Sequence, residues 1–200
     1  MAAQAARFDR LLLLIMAALY LISLGAFTYA NWRVEADHNP WFYAVNALII
    51  SLPLVLFYGS TYVLITAWRA HSRTEQIAPR LARIIHWAPR LAATGIIFFI
   101  TLFSFDVFEM EASLLERLGA FIIHSLPSIF LILVLVLAWR RPVVGFGAFL
   151  LAGLFFLRFV FSDFGLAHFL LFSGPLLLIS GLFYADWRWL KPAGPLDAVL

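Results

Sequence analysis

Apolar residues run through this chain in long unbroken stretches divided by short charged breaks. The stretches free of Asp, Glu, Lys and Arg are 11–32, 38–68, 91–105, 118–139, 142–157 and 164–185. A helix rises about 1.5 Å per residue, so roughly 20 residues cross the hydrocarbon core of a bilayer. The third and fifth stretches are shorter, and each is cut at its far end by a single charge, Asp106 and Arg158. With that charge at the boundary, both still span. The runs are continuous and not alternating, which excludes a transmembrane barrel, and helices then remain as the way to satisfy the backbone in lipid. The pattern predicts an all-α integral membrane protein with six transmembrane helices.

Charge at the helix ends sets the orientation. One set of ends carries Arg7, Arg10, Arg69, Arg73, Arg80, Arg83, Arg90, Arg140, Arg141, Arg188 and Lys191, and the other carries Arg33, Arg117 and Arg158. The basic side faces the cytoplasm, so both termini are expected inside. Tryptophans sit at the ends of the runs, as in an interfacial belt: Trp32 and Trp41 outside, Trp68, Trp87, Trp139, Trp187 and Trp189 inside. Leu11–Phe27 behind Arg7 and Arg10 resembles a signal peptide in outline, but removing it would break the charge alternation, so it is kept as the first helix.

Composition agrees. Hydrophobic residues are 64% of the 200 and charged residues 12%, against about half and a quarter in soluble chains. The net charge of +3 follows the membrane-facing arginines, and nucleic acid is not expected as a partner. There is no cysteine, which excludes disulfides, thiolate metal sites and thiol nucleophiles.

Internal repetition organises the spans. Ser51-Leu52-Pro53 precedes Trp68-Arg69, Ser125-Leu126-Pro127 precedes Trp139-Arg140, and Ser173-Gly174-Pro175 precedes Trp187-Arg188. This order predicts three tandem in-out-in helical hairpins. Pro53, Pro127 and Pro175 should kink their helices, since each removes an N–H and crowds the carbonyl four residues earlier. A neighbouring serine hydroxyl could satisfy the freed acceptor, and a plain packing kink is the alternative. The expected organisation is an N-terminal hairpin over 1–69, a cytoplasmic linker over 70–90, a four-helix region over 91–189 and a cytoplasmic tail over 190–200. In the linker, Pro79 should start and Pro89 end a short interfacial helix carrying Arg80, Arg83 and Trp87, a candidate partner contact.

Trp87-Ala88-Pro89-Arg90, Ser104-Phe105-Asp106-Val107-Phe108, Phe121-Ile122-Ile123-His124-Ser125-Leu126-Pro127, Ala138-Trp139 and Ser173-Gly174-Pro175 carry a resemblance. Over residues 83–189 the chain resembles an uncharacterised family of small bacterial four-helix membrane proteins. No activity comes with that resemblance, and this chain adds a hairpin at its N-terminus.

Ionisable groups inside a membrane protein are functional candidates. Asp106 and Arg158 occupy nearly equivalent outer positions in the second and third hairpins with opposite sign, which suggests an ion pair. His124 stands three residues before Pro127, where the other units have Ile50 and Phe172. Asp106, His124 and Arg158 are therefore the candidate polar site. Boundary charges that snorkel, and a ring N–H bonded to a neighbouring carbonyl, are the structural alternatives. Haem b would need two facing histidines, and only His124 and His168 lie near spans, at depths roughly 6 Å apart. No cofactor, metal or catalytic residue is expected, while bound lipid or pigment is left open.

The function expected is that of a non-enzymatic accessory, structural or assembly subunit of a larger membrane complex in the bacterial inner membrane. Its partners would be the lipid bilayer and other subunits bound through transmembrane helices. Gly145, Gly147, Gly153, Gly174 and Gly181 would let a partner helix approach closely. The alternative is a small transporter or channel with its outer polar site at Asp106, His124 and Arg158.

Overall fold

The computed structural model describes residues 2–34, 39–74, 77–161 and 165–190. The readings placed on Lys191 and the tail beyond it lie outside the described residues.

The described chain is helical throughout. Its elements are α1 (Ala2–Val34), α2 (Pro40–Thr74), α3 (Pro79–Leu102), α4 (Leu114–Arg140), α5 (Pro142–Leu157) and α6 (Gly165–Trp189). Short 3-10 turns, Phe103–Glu109 and Arg158–Phe161, extend α3 and α5. Inside α6 one π turn, Phe169–Ser173, stands directly before Gly174-Pro175. The Pro175 ring has no N–H to give to the Leu171 carbonyl, and the wider turn accommodates that gap.

Five helices, α1 to α4 and α6, are long and apolar enough to cross a membrane, while α5 is a shorter apolar helix. Of the six expected spans, the fifth run is thus the short one, while the third is carried by a long helix. The α-helical part of α5 ends at Leu157, where the first charge, Arg158, follows, and the run tightens into a 3-10 turn. At about 1.5 Å per residue it falls a few ångströms short of the usual hydrocarbon thickness.

Local signals explain the ends. Ser113 caps α4 in a capping box: its hydroxyl accepts from the Glu116 N–H, and the Glu116 carboxylate accepts from the Ser113 N–H at 2.9 Å. Pro142 opens α5 one residue after α4 closes at Arg140, which makes a tight corner at Arg141. Pro79 opens α3 as expected. Pro89 does not end it. The residues expected as a separate interfacial helix are the first turns of one helix that continues to Leu102. Its buried stripe, Ile85, Pro89, Ala92 or Ala93, Ile96 and Ile100, keeps helical spacing across the proline, so packing holds the helix together where propensity would break it.

Helices α3, α4, α5 and α6 form a ring in which each packs on its two neighbours, α5 against α6 most extensively. The centre is apolar and closed, with Ile96, Phe99, Phe149, Leu176, Ile179, Leu182 and Phe183 nearly or fully buried. Helix α2 seats against α3 and α6, and α1 packs on α2. Tyr20 bonds Ser51 and Ser23 bonds Tyr58, each at 2.7 Å, and Arg69 pairs with Asp9 at 3.2 Å, which fastens α1 along α2. Most of α1 and α4 presents large apolar side chains outward, Leu14, Leu21 and Ile22 on α1 and Leu115, Ile123, Leu133 and Val136 on α4 among them. An all-helical body with this surface is consistent with a helical membrane protein.

Most of the glycines expected to receive a partner helix are used inside the chain. A Cβ at Gly145 would meet Phe183, at Gly153 Leu177, at Gly174 Phe57, and at Gly181 Leu64, whereas Gly147 faces open space.

Single cysteines introduced into this cysteine-free chain should report the expected orientation. Cysteine at Asn39 or Ser113 should react with an impermeant thiol reagent from outside intact cells. Cysteine at Ser72 should react only after permeabilisation. Equal labelling of Ser72→Cys from outside would overturn the N-in, C-in arrangement.

Candidate functional site

The most deeply buried charge in the ring is on α3. The Arg90 side chain is 1% exposed and pairs with Asp186, near the end of α6, which is 4% exposed; the Arg90 Nη1 donates to Asp186 Oδ2 at 2.7 Å. Arg90 also donates to two backbone carbonyls, that of His86 one turn back and that of Trp139 at the end of α4, the latter at 3.2 Å. Asp186 Oδ1 accepts from His86 Nδ1 at 3.2 Å. One guanidinium therefore ties α3, α4 and α6 together. The Trp139 ring lies 5.9 Å from the guanidinium carbon, and Trp87 meets Trp139 edge-on at 6.1 Å. Burial of ions is costly unless paired and bonded, and here every Arg90 nitrogen but Nε has a partner.

His86 is the solvent-facing member of this cluster, its side chain 47% exposed. Its bond to a carboxylate puts the proton on Nδ1 and leaves Nε2 as an open hydrogen-bonding position. His86 and Asp186 line an open groove of about 500 Å³ with Arg83, Pro142, Trp187 and Leu190. The arrangement can lock the helix ends together, and it can present a positioned imidazole and an arginine to a ligand.

The residues singled out in the sequence lie elsewhere. Asp106 is exposed in the 3-10 turn after α3, and Arg158 is exposed at the end of α5 with its guanidinium 5.9 Å from the Phe155 ring. The ion pairs that join described residues are Arg69–Asp9, His86–Asp186 and Arg90–Asp186; the expected Asp106–Arg158 pair is not among them. His124 is exposed on α4, and its Nδ1 donates to the Ala120 carbonyl at 2.9 Å. His168 stacks on Phe172 at 4.8 Å and Phe156 at 6.0 Å. Asp106, His124 and Arg158 sit on three different elements, the turn after α3, α4 and the end of α5.

Pro53 and Pro127 lie inside α2 and α4, and Pro175 follows the π turn of α6. The serine that precedes each does not cover a freed carbonyl. Ser51 bonds Tyr20, and the Ser125 and Ser173 hydroxyls are buried without a hydrogen-bond partner. Of the candidate contact residues, Arg80, Arg83 and Trp87 are all exposed on the first turns of α3.

Arg90, Asp186 and His86 are the residues that sequence reasoning missed. In the sequence Arg90 reads only as an orientation charge, and Asp186 and His86 draw no attention. The available signal was depth: Arg90 opens the third run and Asp186 closes the sixth, so two opposite charges share one membrane level.

Residues 78–194 match a family model described as a domain of unknown function, DUF7670. The match begins at the residue before α3 and takes in the whole ring, leaving α1 and α2 outside it. No curated protein and no solved structure matches the chain.

Proposed function

We propose that this chain, which belongs to the DUF7670 family, acts by contact and not by turnover, as an accessory, structural or assembly subunit of a larger complex in the bacterial inner membrane. Membership brings no activity with it. The observation that carries the reading is how the polar and apolar surfaces are divided. The interior of the ring is filled by apolar side chains and a few serines, its buried charges are locked into one end clamp, and the broad outward faces of α1 and α4 are apolar. A path for protons uses ionisable relays at mid-depth. The outer candidates Asp106, His124 and Arg158 are each exposed. A scaffold needs what is present: a rigid bundle with large lipid- or helix-facing surfaces.

Two measurements test this. Purified protein in liposomes should show no proton or small-ion flux above empty liposomes. A reproducible flux abolished by His124→Ala would refute the contact reading and establish the transporter. Mild-detergent extraction from native membranes should recover the chain with other membrane subunits in fixed ratio; recovery as an isolated chain under every detergent condition would count against it.

A further inference from the structure

We propose that the groove beside the clamp is a binding site for an anionic phosphate group, supplied by the headgroup of a membrane lipid. Arg83 lines the groove, is exposed, and makes no ion pair or hydrogen bond among the described residues. The single acid of the groove, Asp186, is already neutralised by buried Arg90. The lining therefore keeps the charge of Arg83 unspent. His86 adds an imidazole whose ring is held by Asp186 through Nδ1 at 3.2 Å, so its second nitrogen is fixed in direction before any ligand arrives. Arg83 donates to phosphate oxygens, and His86 Nε2, with the ring proton on Nδ1, accepts from a protonated phosphate oxygen; groups already held in place bind at little ordering cost. Pro142 brings the first turn of α5 to the same groove, and the positive end of a helix dipole favours an anion there.

Lipid is favoured over a soluble phosphate by what surrounds the charges. Trp187 and Leu190 form part of the lining, and Trp87 and Trp139 flank the clamp. These side chains suit the glycerol and upper acyl region, and basic pockets between helices at the cytoplasmic side are the setting in which anionic headgroups bind. The inference rests on reading the chain as membrane-spanning. That reading is checked separately, by recovery of the full chain in washed membranes.

The test is thermal unfolding of the detergent-solubilised full chain, titrated with phosphatidic acid, phosphatidylcholine or inorganic phosphate. Phosphatidic acid should raise the melting temperature, and phosphatidylcholine should do so far less. Arg83→Gln and His86→Gln should each weaken the phosphatidic acid midpoint by about tenfold, the scale of one charge-assisted hydrogen bond. Arg140→Gln removes the same charge from the same end, outside the groove, and should leave the midpoint within about twofold. Protection by inorganic phosphate alone, lost in Arg83→Gln, would keep the anion site and assign it to free phosphate. Three results would overturn the proposal: no protection by either anion, equal protection of wild type and both groove variants, or equal loss in Arg140→Gln.

Discussion

Replacing Arg90 by alanine is expected to destabilise the folded chain by about 3–5 kcal/mol, the usual cost of breaking a buried ion pair from one side. The loss has two sources. Asp186, almost fully buried, would be stranded without its 2.7 Å partner, and the carbonyls of His86 and Trp139 would lose a donor. Asp186→Ala should cost a similar amount by stranding the guanidinium. The joint variant Arg90→Met with Asp186→Leu should recover most of either loss, because an apolar pair of similar volume removes both desolvation penalties. His86→Gln should cost no more than about 1 kcal/mol, since the ring is half-exposed and its hydrogen bond competes with water. Equilibrium unfolding in mixed micelles measures all four. Additive losses in the double variant would show that the two charges do not act as a pair.

The clamp also shows where reading the sequence stops. The length of the apolar runs placed the helices, because hydrocarbon thickness imposes a length that composition alone reveals. The start of α3 at Pro79 followed from capping chemistry, while the Ser113–Glu116 capping box that starts α4 was legible in the sequence and not read. Pro89 misled, because propensity is local while the stripe from Ile85 to Ile100 is stabilised by tertiary burial. The expected Asp106–Arg158 pair misled for a related reason. Charges at the ends of runs serve orientation so often that Arg90 is absorbed into that explanation and Asp186 goes unremarked, whereas Asp106 and Arg158 attract attention by interrupting runs. Which end charges turn inward depends on helix rotation, and rotation is set by packing partners that a single sequence does not name. In α4 the inward stripe is Ser125, Ser128, Leu131, Val134 or Leu135, and Ala138. It is more polar than the outward face, so the usual apolar-in rule would have turned this helix the wrong way. Among lipid-facing helices that inversion is ordinary, since lipid offers no penalty for exposed leucine.

Glycines at the α5–α6 contact should be the second most sensitive positions. A Cβ at Gly145 would stand 2.7 Å from the Phe183 ring, and one at Gly153 would stand 2.7 Å from the end of the Leu177 side chain and 3.1 Å from its backbone nitrogen. Neither neighbour has room to yield. Phe183 is fully buried and stacks on Phe149 at 5.7 Å, and a backbone atom moves only with its helix. Gly145→Val and Gly153→Val should therefore each cost about 1–3 kcal/mol by overpacking, with α5 pushed away from α6. Gly147→Val on the same helix meets nothing within 4 Å and should change stability by less than about 0.5 kcal/mol. Phe183→Leu combined with Gly145→Ala should recover part of the loss by making space for the new methyl group. The comparison also bears on partner binding. Gly145 and Gly153 are consumed within the ring, and Gly174 and Gly181 by α2; a partner helix seated on α5 by close backbone approach would have to use the Gly147 side. If Gly147→Val leaves the isolated chain stable but removes a copurifying subunit, that face is the contact. If it leaves the complex intact, the contact lies on the leucine- and isoleucine-rich faces of α1 or α4 instead.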